Sequence, residues 1–149
     1  MHWTLEIGKI VVPAVLGFLF GRLQTGYADK VSRAKEIQNE LIKTVRACAT
    51  AAIDYHSQSA DQPQWPIKVV HLKNQLYRIR TDVGLIKKLC NQNDNNLLMP
   101  FIEFMDAVTE YPFEANELPA TADLERYKRI SISGEALAEK IAACRPKIL

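Results

Sequence analysis

Residues 65–90 read Trp-Pro-Ile-Lys-Val-Val-His-Leu-Lys-Asn-Gln-Leu-Tyr-Arg-Ile-Arg-Thr-Asp-Val-Gly-Leu-Ile-Lys-Lys-Leu-Cys. Within this stretch Val69, Leu72, Leu76, Ile79, Val83, Ile86 and Cys90 recur at alternating steps of three and four. That spacing lines up one stripe of a helix, whereas strand side chains repeat every two residues. An unbroken heptad seam needs a second apolar stripe to pack against. Pro66 fits a first helical turn, where its missing N–H is not needed. Gly84 weakens the helix by about 1 kcal/mol relative to Ala, which suggests a close contact at that point.

The partner stripe lies upstream. Ile37, Leu41, Val45, Cys48, Ala52 and Tyr55 follow the same steps, and no Pro or Gly interrupts residues 30–56. Residues 57–64, with Pro63, form a break, so the two helices read as an antiparallel hairpin. The run 91–96 ends the second helix and caps a third. That third helix carries Leu97, Leu98, Phe101, Phe104, Met105 and Val108, with Pro100 in its first turn and Tyr111-Pro112 at its end. Residues 113–120 read as a loop. Thr121 then caps a short helix through Ile130, and 130–133 reads as two or three residues of strand without a partner. Ser133 caps a last helix through Cys144, with Leu137, Ile141 and Cys144 inward. The fold class is all-α, a bundle of about four to five helices.

Composition narrows the class further. With 48% apolar and 24% charged residues, wholesale disorder is excluded. Three cysteines, Cys48, Cys90 and Cys144, are too few and odd in number for a disulfide scaffold. Their spacing matches no zinc or redox motif, and free thiols suit a reducing compartment. A net charge of +2 argues against a chain that coats nucleic acid. The charge is nevertheless uneven. Residues 1–90 hold 13 basic and 7 acidic side chains, and residues 91–149 hold 6 and 10.

The N-terminal segment is the most apolar. Residues 10–21, Ile-Val-Val-Pro-Ala-Val-Leu-Gly-Phe-Leu-Phe-Gly, carry no charge. Extended to 4–23 the stretch reaches spanning length and takes in Glu6, Lys9 and Arg22. Trp3 lies where an interfacial aromatic anchor belongs. Three readings compete: a transmembrane helix, a cleaved signal peptide ending near Gly26-Tyr27-Ala28, and a buried or interfacial helix. The first predicts two parts, an anchor with its juxtamembrane segment at 1–28 and a cytosolic bundle at 29–149. Arg22, Lys30, Arg33 and Lys35 follow the run, whereas only Lys9 precedes it, which predicts a single-pass bacterial inner-membrane protein with a cytoplasmic body. Glu6, Lys9, Pro13, Gly17 and Gly21 share one face, and Gly17-x-x-x-Gly21 permits close helix approach. That face predicts a homo-oligomer in contact with membrane lipid, with a pore as its extreme form.

No catalytic motif stands out. His2, His56 and His71 form no paired metal motif, and no Walker A, G-x-S-x-G or G-x-G-x-x-G sequence occurs. The chain therefore reads as non-enzymatic, without metal or cofactor. Lys73, Arg80 and Lys87 are spaced by seven and form a ridge on the heptad helix, flanked by Lys68, Arg78 and Lys88. Tyr77 lies among them, positioned to stack on a base. These four, Lys73, Tyr77, Arg80 and Lys87, are candidates for contacting a nucleotide, RNA or protein partner or lipid headgroups. The competing reading pairs them with Glu110, Glu114 and Glu117.

The layout of anchor, long rod and heptad helix resembles small single-pass membrane effectors of bacterial antiviral defence. CRISPR-associated membrane proteins with helical, in part HEPN-like, cytosolic bodies are among them. The resemblance implies an oligomeric, membrane-perturbing or pore-forming effector gated through its cytosolic domain. The alternative is a membrane-tethered adaptor that binds protein or nucleic acid through the basic helix. HEPN ribonucleases carry Arg and His four to six residues apart. Here nine residues separate Arg46 from His56, so the resemblance implies no ribonuclease activity.

Overall fold

A computed structural model describes residues 3–57, 65–90, 94–110 and 123–145, with side chains described from residue 25 onward except at 65, 94 and 95. Four helices follow in order: α1 (Trp3–His56), α2 (Trp65–Cys90), α3 (Asp94–Thr109) and α4 (Leu124–Ala142). They pack as a ring in which α1 touches α2 and α4, and α3 touches α4 and α2. The two seams read from the sequence form its centre. Val69, Leu72, Leu76, Ile79, Val83, Ile86 and Cys90 are all buried, and so are Leu41, Val45, Cys48, Ala52 and Tyr55. Leu97, Phe101, Phe104 and Val108 close the core from α3, and Ile130, Leu137 and Ile141 from α4.

Long-range bonds fix the direction of the helices. The Lys68 ammonium donates to Asp54 at 2.9 Å, which brings the start of α2 to the end of α1. His56 at the end of α1 meets the Val108 carbonyl of α3 at 3.0 Å. The Tyr127 hydroxyl, at the start of α4, donates to the His56 carbonyl at 3.1 Å. At the opposite end the Gln38 amide donates to the carbonyls of Ile141 (3.1 Å) and Cys144 (2.7 Å). A helix leaves its last carbonyls without intrahelical partners. Gln38 of α1 thus closes the C-terminus of α4, and the ring runs up, down, up, down.

Several expectations are corrected. The helix from Thr121 to Ile130 and the helix from Ser133 are one element, α4, and 130–133 is not a strand. Its cap is Asp123, whose carboxylate accepts from the Arg126 N–H at 3.0 Å. Ser133 instead bonds back to Arg129 O at 2.7 Å. Gly134 does not break the helix because it lies where three helices meet. A Cβ there would stand 3.3 Å from both Ala49 Cβ and Phe104 Cε2. Pro100 lies inside α3, beyond its first turn. Gly84 has open space around it, so no close contact explains it. The expected loop at 113–120 lies outside the described residues.

The largest correction concerns the membrane. Among the described residues, no helix is long and apolar enough to cross a membrane. Helix α1 continues unbroken from Trp3 through the apolar run into the core. As helix, the uncharged residues 10–21 reach only about 18 Å, against a hydrocarbon thickness of roughly 30 Å. The all-α bundle stands with four helices, and the transmembrane helix is withdrawn from it. The single-pass inner-membrane placement goes with it, since a charge bias orients only a helix that spans. So do the lipid partner and the pore-forming effector.

Candidate functional site

The longest helix makes the most unusual surface. α1 has 54 residues and α2 has 26, so their lengths are about 81 Å and 39 Å at ~1.5 Å per residue. One helix must therefore overhang the bundle. The core takes hold of α1 only at Ala34, which is 1% exposed. Before it, residues 25–33 are exposed except for half-buried Val31. Tyr27 lies open here, 41% exposed. Gly26, Asp29, Lys30, Ser32 and Arg33 form the described wall of a recess of about 540 Å³ at the root of this arm. Glu6, Lys9, Pro13, Gly17 and Gly21 belong to the same helix, and their side chains lie outside the described residues.

The α2 candidates share one flank by helical periodicity. Lys73, Tyr77 and Arg80 are exposed and Lys87 is half-buried. The surrounding cations do not form the open ridge expected from the sequence. Lys68 is paired with Asp54 across the hairpin, and Arg78 approaches Asp82 at 3.8 Å. Lys73 and Lys87 also have interactions of their own. Glu110 is not their partner. It binds Arg129 at 3.0 Å and approaches Arg126 at 3.9 Å. The expected nucleotide, RNA, protein or lipid platform on α2 is therefore corrected, because part of its positive charge is spent within the bundle. The homo-oligomer rested on the membrane face and is withdrawn with it.

A third feature was not legible in the sequence. At the end where α1, α3 and α4 meet, His56 and Arg126 are both 8% exposed. Asp123 and Glu110 each stand 3.9 Å from Arg126. Tyr55 and His56 meet edge to face, with ring centroids 4.9 Å apart. The His56 Nε2 partner is the Val108 carbonyl, so Nε2 donates, and Nδ1 is buried without a hydrogen bond. Burial is the main cause that pushes the His56 pKa down, and the Arg126 charge adds to it, while Asp123, Glu110 and the Val108 bond oppose it. The imidazole is therefore held neutral against a buried cation. Such a group closes the end of a bundle and is poorly placed to meet a substrate.

Arg46 is not brought to His56. Ten residues along one helix separate them by about 15 Å. Arg46 instead forms a fork with Glu135 of α4, with both bonds at 2.8 Å. This pair holds the Glu135 carboxyl below its ordinary range and raises Arg46. Among the described residues no group of three or more His, Cys, Asp or Glu is placed to hold a metal ion.

The chain is thus a four-helix bundle whose first helix outruns the other three. No family model matches it, and no curated protein or solved structure matches it significantly.

Proposed function

We propose that this chain is a non-catalytic docking module that presents the N-terminal part of α1 to a different protein. The observation that carries the reading is the overhang: α1 is about two to three times as long as the helices it packs against, and residues 25–33 are exposed except for half-buried Val31. An isolated helical arm gains little from its own hydrogen bonds and is stabilised mainly when an apolar face is covered. The arm's sequence supplies such a face, since Ile7, Val11, Val12, Val15, Phe18 and Leu19 fall on one side of the helix. Helix-in-groove recognition reads anchors of this spacing. Along the sequence, Arg22, Lys30, Arg33 and Lys35 follow the apolar run, against Asp29 and Glu36. The fitting partner has an apolar groove with an acidic rim. A second copy would bring like charges together.

A photo-crosslinking amino acid at Phe18 tests this in cells. The expected result is a discrete adduct with a different protein, lost when Val15→Asp is added and helical circular dichroism is retained. Adducts to lipid alone, adducts to the chain itself, or no adduct would overturn the reading.

A further inference from the structure

Two of the three cysteines come together at the end from which the arm emerges. Cys90 is the last residue of α2, and Cys144 follows the last turn of α4. They are 7% and 5% exposed and belong to one core cluster. Each thiol lies near enough to the other to shift its ionisation. The Cys144 thiol also reaches the Lys140 carbonyl at 3.3 Å. Gln38 holds the Cys144 backbone in place with its 2.7 Å bond. Helices α2 and α4 lie diagonally across the ring, so neither adjacent packing nor sequence spacing brings these thiols together. The third thiol, Cys48, is fully buried on α1, two turns before its end at His56.

We propose that Cys90 and Cys144 form a reversible disulfide when the protein meets an oxidised low-molecular-weight disulfide, locking the bundle end at the root of the arm. Cys144 attacks as its thiolate on one sulfur of the small disulfide, and one small thiol leaves. The Cys90 thiolate then attacks the Cys144 sulfur of the mixed disulfide and expels the second small thiol. The protein loses two electrons and two protons, and the small disulfide gains them to become two thiols. Excess small thiol reverses both steps.

The fold sets the rate and the selectivity. Burial pushes Cys144 up to about 11 and Cys90 above its ordinary value, so little thiolate exists at neutral pH. Exchange proceeds when the last turn of α4 opens, and helix ends fray at the least cost. Cys48 is pushed up to about 12 by burial and is fully enclosed in the core, so it stays reduced. At pH 8 the reaction is expected to run slower than at an unstructured cysteine.

Incubating the folded full-length chain with oxidised glutathione at pH 8, followed by non-reducing peptide mapping, tests the proposal. The expected product is a Cys90–Cys144 peptide pair within one chain, with Cys48 recovered as a free thiol. Its thermal midpoint should rise by about 10 °C and fall back with reductant. Cys48→Ala should form the same bridge. Cys90→Ser should leave glutathione on Cys144. A bridge through Cys48, a bridge between chains, glutathione retained on wild-type Cys144, or thiols that stay free while the denatured chain oxidises would each overturn the proposal.

Discussion

A methyl group at Gly134 would press on Ala49 and on the Phe104 ring, each at 3.3 Å. The glycine lets the α4 backbone approach α1 and α3, and larger side chains must push the helices apart. Gly134→Leu is expected to destabilise the fold by about 3 kcal/mol in urea unfolding. Gly134→Ala should cost far less, because Ala gains about 1 kcal/mol of helix propensity. His56 acts through its charge. Its folded pKa lies below the ordinary histidine value, so the unfolded chain takes up the proton first as pH falls. Stability is then complete above about pH 6.5 and declines as pH falls from there through the lowered folded pKa. Urea midpoints at pH 7.5, 6 and 5 should show this decline, and His56→Gln should remove that component of it. Gln38 shows why such residues escape a sequence reading. It occupies a seam position between Ala34 and Leu41, and nothing local reveals that its amide closes another helix.

Among the elements, α2 was fully legible, because all seven residues of its heptad seam are buried. Its pattern is local, and each member points the same way by helical geometry alone. α4 was misread because Thr121 and Ser133 mimic helix caps and the alternation at 130–133 mimics a short strand. Tertiary packing overrides them: Ile130, Leu137 and Ile141 are fully buried on one continuous stripe. The working cap is Asp123, which accepts from Arg126 N–H. Asp123→Ala should lower stability by about 1 kcal/mol in denaturant titration, and Thr121→Ala should change it by less than half of that. The Arg46–Glu135 fork ties α1 to α4, but both side chains are more than half exposed. Pairs of this kind contribute little once solvent screens them.

For the whole molecule, the core begins at Ala34 and the arm precedes it. A chain starting at Asp29 is expected to unfold cooperatively, with a thermal midpoint within about 2 °C of the full chain. Calorimetry of the two chains checks this, and a large drop would mean that the arm packs on the bundle. The periodicity of α1, α2 and α3, and the inward face at the end of α4, were determined by the sequence alone. Helical repeats are set by backbone geometry within a few residues, so they can be read without a partner. The sequence did not determine the single α4, the His56–Arg126 end or the Cys90–Cys144 contact. Those depend on which helix ends meet, and the meeting residues lie 54 to 106 positions apart, as with Gln38 and Cys144. No periodicity links positions so distant; only the closing of the ring brings them together.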